Sequence, residues 1–335
     1  MLRLPRLTGT VALVLACPFA VAGQSDKELR CPSAIPVSVM LPDGTPLIHL
    51  NAAAFEARLR GRSTDIATLD EDLTPRRIVL VLDASKNVNS EAWKIETSLS
   101  HFLVDSAPSQ VTFALAVLNA DVPSMGFGTP REALNARLAE FATARPANAK
   151  PGEDVYGGTI GALQSFGTQQ FGDTMVAFFG GADDLKQVDV GAVQRAFVER
   201  GVRLFGLILG EEARSGFYAN VTPGSAKRQE VPFDPDSVEL GRLAVETGGF
   251  LALENTHLQQ MTYHLTEDRL RQLETTFHRF LSQIIMLYRI QLSTGTPSKP
   301  ENMSIELSET LKQKVPTARV LFPHQVAVCS STGSR

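Results

Sequence analysis

Past its first residues the chain has no apolar run near the ~20 residues that a bilayer-spanning helix requires, so no transmembrane segment is expected after residue 22. Lysine and arginine form no concentrated stripe of the kind that tracks phosphates, which argues against a nucleic-acid partner. The six histidines, His49, His101, His257, His264, His278 and His324, show no ligand spacing such as His-x-x-x-His. Neither a Gly-x-Ser-x-Gly elbow nor a Gly-x-x-x-x-Gly-Lys-Ser/Thr phosphate loop occurs. With no nucleophile and base visible together, catalysis is not expected. Cysteine is scarce as well, with three in 335 residues: Cys17, Cys31 and Cys329.

What the N-terminus does contain is a basic stretch, Met1-Leu2-Arg3-Leu4-Pro5-Arg6, then the apolar Val11-Ala12-Leu13-Val14-Leu15-Ala16, then the small-residue Ala20-Val21-Ala22. That order predicts a signal peptide over residues 1–22, and hence export to the periplasm, the cell surface or the medium. A second cut is open at Val14-Leu15-Ala16-Cys17, a lipobox-like run that would leave a lipid anchor on Cys17. Cleavage after Ala22 removes two arginines and leaves 30 basic against 36 acidic residues, a formal charge of −6. It also leaves two cysteines. In an oxidising compartment Cys31 and Cys329 are expected to pair, the alternative being two free buried thiols. A bridge between them would close a long loop, a constraint on the order of 5 kcal/mol in the chain-entropy account.

Between residues 23 and 75 short apolar runs alternate with turns: Ile35 to Leu41, the turn Pro42-Asp43-Gly44-Thr45, then Pro46 to Leu50. So few residues cannot build a core alone. The segments 287–292, 303–307 and 318–322 alternate as strands do, which predicts one small β-rich domain assembled from residues 23–75 and 287–330, with a tail at 331–335. From 76 to 264 strand and helix patterns alternate, and Ile95, Leu99, Phe102 and Leu103 fall on one face of a helix over Ser90–Ser106. The fold class is therefore α/β, a doubly wound, mainly parallel sheet with a small β domain beside it. A long helix over 265–286 carries Leu270, Leu273, Phe277, Phe280, Leu281 and Ile284 and is expected to pack on the sheet rather than form a coiled coil. The stretch 210–236 has no apolar period and reads as a long loop.

One run carries chemistry. Ile78-Val79-Leu80-Val81-Leu82 is what a strand covered on both faces requires, and it ends in Asp83-Ala84-Ser85-Lys86-Asn87. Open α/β sheets place ligand groups just beyond the carboxyl ends of their strands. Carboxylate plus hydroxyl at that point suits a hard cation such as Mg2+; a strand followed by a capping Asp or Ser explains the same residues.

Three stretches of the centre resemble the metal loops of a von Willebrand factor A domain. Asp83-Ala84-Ser85-Lys86-Asn87 is similar to Asp-x-Ser-x-Ser with Asn87 in place of the second serine; Gly157-Gly158-Thr159 is similar to the second loop, although Thr159 also reads as a helix N-cap; and Phe178-Phe179-Gly180-Gly181 puts Gly180 where the third loop has aspartate. The lead-in Val37-Ser38-Val39-Met40-Leu41-Pro42-Asp43-Gly44-Thr45-Pro46-Leu47, the motif Leu243-Ala244-Val245-Glu246-Thr247-Gly248-Gly249-Phe250 and the ending Leu321-Phe322-Pro323 with Cys329 extend the likeness to the exported bacterial family of VWFA-related proteins. The resemblance implies a von Willebrand A-like fold with a degenerate metal-ion-dependent adhesion site. Its ligands would be Asp83, Ser85, Asn87 and Thr159, the carboxylate at Gly180 being lost and Asp183 or Asp184 standing in as substitutes. Mg2+ or Mn2+ would be held weakly if at all. It further implies an adhesion or binding module for a protein ligand; a structural subunit of a cell-envelope or secreted assembly, with no metal dependence, is the alternative.

Overall fold

Every side chain from Ile78 to Leu82 is completely buried, which requires covering layers on both sides of that strand. The computed structural model describes residues 34–86, 88–150, 155–179, 189–209, 235–254, 266–293 and 301–326. In chain order its elements are β1 (Ile35–Met40), β2 (Phe55–Leu59), β3 (Arg62–Thr64), β4 (Ile66–Asp72), β5 (Arg77–Asp83), α1 (Ser90–Ser106), β6 (Thr112–Leu118), α2 (Arg131–Thr143), α3 (Val155–Leu163) and β7 (Thr174–Phe179). After these come α4 (Val190–Arg200), β8 (Arg203–Leu209), α5 (Pro235–Glu246), β9 (Phe250–Glu254), α6 (Glu267–Ile285), β10 (Leu287–Leu292), β11 (Glu301–Leu307), α7 (Glu309–Lys314), β12 (Arg319–Leu321) and β13 (Gln325–Val326).

The five strands β6-β5-β7-β8-β9 form one sheet in that order, each paired parallel to its neighbours. Alternate residues of β5 serve the two layers. Ile78, Leu80 and Leu82 join side chains of α1, α2 and α6 in one core, and Val79 and Val81 join those of α3, α4 and α5 in the other. The long helix α6 packs on the sheet as its pattern predicts: Phe277 stacks on Phe178 with ring centroids 5.5 Å apart, and Phe280 meets Phe205 at 5.6 Å. By chain position the strand order is 2-1-3-4-5, so the winding reverses between β5 and β7. The chain crosses from the α2 layer to the α3 layer at that point.

The N-terminal and C-terminal strands build two antiparallel sheets, β12-β1-β10-β4 and β13-β11-β2-β3. They close on a core that includes Val37, Val39, Phe55, Tyr288, Ile290, Ile305 and Phe322. The architecture is thus α/β, a doubly wound parallel sheet plus separate antiparallel sheets from the two ends of the sequence.

Two local expectations are corrected. The turn at 42–45 forms, with Gly44 N–H donating to Leu41 O at 2.9 Å, but residues 46–50 make only a single bridge, Met40 to Pro46, instead of a second strand. β10 pairs with β1 only at Ile35–Val37, and beyond it the returning arm meets β1 at that bridge and at Leu47 N–H, which donates to Val39 O at 2.8 Å. Tyr288 holds the rest of it, donating its hydroxyl to Leu47 O at 2.8 Å and accepting from Leu50 N–H at 3.1 Å. β2 and β3 form a further hairpin, beyond the expected strands. Its signal is Arg60-Gly61 between alternating runs, both residues having positive φ (52° and 73°) as a two-residue hairpin turn demands.

Candidate functional site

Asp83 is the last residue of β5 and stands at the switch point, where doubly wound sheets bind ligands. It has no exposed surface, nor has Ser85. Asp83 Oδ1 accepts from Ser85 N–H at 2.9 Å and from Asn119 Nδ2 at 2.8 Å, and Oδ2 accepts from the Ser85 hydroxyl at 3.3 Å. Asn119 follows β6 directly and adopts φ 58°, a left-handed conformation that Asn tolerates, which turns its amide onto the neighbouring strand end. Burial pushes the Asp83 carboxyl up, against the pull of the Asn119 and Ser85 hydrogen bonds.

Beneath this turn lies Glu96 of α1, completely buried, whose Oε2 accepts from Asp83 N–H at 2.9 Å. Its other oxygen has no hydrogen-bond partner among the described residues. Burial, reinforced by the charge of Asp83, drives the Glu96 carboxyl well above the ordinary range. Above the turn the α2–α3 crossing is tied down by backbone bonds, Lys86 N–H to Lys150 O at 2.9 Å and Lys150 N–H to Asn119 O at 2.7 Å. Arg145, at the start of that crossing, donates to Ser85 O at 3.0 Å and to Asn89 O at 3.1 Å, and its guanidinium lies 5.5 Å from the centre of the Trp93 ring. Burial lowers its pKa while the charges of Glu96 and Asp83 raise it.

Of the residues singled out from sequence, Asp83 and Ser85 are brought into direct contact. Thr159 is buried within α3, which packs on β5 and β6. Because that helix begins at Val155, Thr159 is not its N-cap. Gly158 permits the approach: a Cβ there would come within 2.9 Å of Leu118. Asn87, Gly180, Asp183, Asp184, Cys17, Cys31 and Cys329 lie outside the described residues. Sequence reasoning missed Glu96, Asn119 and Arg145. Glu96 was detectable as a carboxyl on the apolar face of α1, in step with Trp93 and Leu99; Asn119 only as the polar residue ending β6; Arg145 not at all.

Among the described residues a hard dication finds a poor donor set. Among the described residues no three His, Cys, Asp or Glu side chains converge on one point. Asp83 is the single carboxylate of the inferred shell whose position is described, its oxygens already accept three hydrogen bonds, and a guanidinium is fixed across the same turn. Mg2+ would have to shed water for one carboxylate while facing a cation.

No protein family and no curated protein matches the chain. Solved structures do. Proximal thread matrix protein 1 from mussel byssus is 12% identical with a TM-score of 0.43, over 75% of this chain and 50% of that one. An aerotolerance-related membrane protein from Bacteroides fragilis NCTC 9343 is 13% identical with a TM-score of 0.42, over 62% and 98%. A von Willebrand factor type A structure from Catenulispora acidiphila is 10% identical with a TM-score of 0.43, over 75% and 50%. The chain spans about half the length of the first and third of these.

Proposed function

We propose that the protein is an exported, non-enzymatic binding module that engages a protein ligand through the carboxyl-end face of its parallel sheet, the Mg2+ site of that face being weakened or lost. The supporting observation is the placement of Asp83 at the switch point between β5 and β7, with Ser85 and Asn119 fixed on it and the α2–α3 crossing tied to its turn. Lys86 and Lys150 are exposed there, giving the face a charged surface around a buried, hydrogen-bonded centre.

A structural role in an envelope or secreted assembly is favoured by a different feature. Leu73, 81% exposed, and Ile48, 44% exposed, flank the end of β4, the edge strand of its sheet. A photo-crosslinking residue installed at Lys86 or at Leu73 in the producing cell separates the two. Adducts to a heterologous protein from Lys86 alone are expected; adducts from Leu73 alone would transfer the function to the β4 edge.

A further inference from the structure

The loop between Ser85 and Asn89 is bracketed by one side chain. Arg145 bonds the carbonyl oxygens at both of its ends, at 3.0 and 3.1 Å, and lies over Trp93, which is itself fixed by an indole N–H bond to Phe141 O at 2.7 Å and by an edge-on contact with the Phe141 ring. Its partners are oxygens at the turn where a cation would be expected to sit. We propose that Arg145 is a resident counter-ion of this site: its guanidinium supplies the positive charge at the Asp83 turn and ties Ser85 to Asn89, so that the carboxyl-end face is built without metal.

Three features support the assignment. Asp83 is wholly buried and its direct hydrogen-bond partners among the described residues, Ser85 and Asn119, are neutral, so a nearby cation offsets a charge that they leave uncompensated. Asp83 and Glu96 are the two carboxyls whose charges act on the Arg145 guanidinium. Guanidinium suits this position because it is planar, weakly hydrated for a cation, stacks on an aromatic face, and donates in several directions at once. A metal at the same loop would instead order it by direct coordination, and the two cations exclude each other by repulsion.

The inference rests on the carboxyl-end face being the functional one, but its test needs no ligand. Mature wild-type protein, Arg145→Lys and Arg145→Met are compared by thermal unfolding with and without millimolar MgCl2 or MnCl2 at constant ionic strength, and by calorimetric titration with the same salts. Wild type and Arg145→Lys are expected to show no metal response. Arg145→Met should be less stable than wild type and should bind Mg2+ at least about tenfold more tightly, as removing a unit charge beside a dication dictates. Metal binding by the wild type equal to that of Arg145→Met, or a folded Arg145→Met indifferent to metal, overturns the proposal. If Arg145→Met does not fold, Asp83→Asn in the same chain should restore folding, because the charge that needed compensation is gone; failure to do so also counts against it. A failure of the Lys86 crosslinks would remove the binding role and leave these curves as they are.

Discussion

At the scale of single residues the site is defined by a carboxyl that has no exposed surface and, among the described residues, one unpartnered oxygen. Burial disfavours the Glu96 anion and the charge of Asp83 adds to the penalty, so Glu96 keeps its proton to a higher pH in the folded state than in the unfolded one. The folded state therefore binds more protons than the unfolded one. The stability this contributes is complete below the ordinary value of 4.5 and is lost as pH rises through the higher folded value. Glu96→Gln keeps an acceptor for Asp83 N–H without the ionisation, so its stability should fall less with rising pH and exceed wild type by on the order of 1 kcal/mol near pH 8. Urea unfolding across pH 5–9 measures this; parallel pH profiles for the two proteins would show that Glu96 ionises freely. The sequence offered Asp83 and Ser85 because a buried aliphatic run ending in two oxygen-bearing residues is a local pattern. It did not offer Arg145, which acts from 60 positions away across the sheet.

At the scale of elements the C-terminal end of α6 is where the two parts of the structure are locked together. A helix ends with unpaired carbonyls and partial negative charge. Here two buried arginines meet them: Arg76 donates to Ile284 O at 3.2 Å and Ile285 O at 3.1 Å, and Arg203 to Gln283 O at 3.1 Å, Gly248 O at 2.9 Å and Ser38 Oγ at 3.3 Å. Arg203 has no carboxylate partner among the described residues, and burial takes its pKa down to about 9. Asp72 anchors the other half of the lock, accepting from Thr74 and Arg76 and pairing with Arg289. Burial raises the Asp72 carboxyl, but Thr74, Arg76 and Arg289 outweigh it and hold it below the ordinary range. Its contribution is present above pH 3.8 and lost as pH falls through the lower folded value. Asp72→Asn strands a buried guanidinium and should cost about 3–5 kcal/mol by denaturant unfolding at pH 7, with a flattened acid limb. A loss below about 1 kcal/mol would mark the pair as a surface-type contact. Close approach of elements is equally specific: Gly249 has room for no side chain, since a Cβ there would lie 1.8 Å from Leu204 O, and Gly248 takes φ 80° to turn α5 into β9.

At the scale of the molecule the two ends of the sheet do different work. Ala34, at the start of β1, and Gln325, in β13, line one small cleft of ≈ 50 Å³ together with Gly172, Val202 and Thr247, at the amino end of the parallel strands. The antiparallel sheets thus sit at the end opposite Asp83. Cys31 and Cys329 stand three and four positions outward from Ala34 and Gln325 along the chain, a reach of roughly 10–14 Å each when extended. Non-reducing peptide mapping of exported protein should find a Cys31–Cys329 peptide and an N-terminus at Gly23. Two alkylatable thiols in the native protein would show the pairing to be wrong, and a lipid-modified Cys17 at the N-terminus would show the cut to be wrong.

The sequence by itself determined the alternation of strands and helices, the burial of the Ile78–Leu82 run on both faces and the packing of α6, because each depends on hydrophobic period within one segment and the layers follow from burying it. It also determined that strands at both ends must find each other, neither set having core enough alone. Tertiary structure decided the rest. The arm at 46–50 leaves β1 after one bridge and is held from there by Tyr288, a residue about 240 positions away. Glu96, Asn119 and Arg145 reach Asp83 and its turn over sequence separations of 13, 36 and 60 residues; a local pattern marks Glu96 as a buried carboxyl, but only the convergence of strand ends and crossing segments decides what each of the three meets.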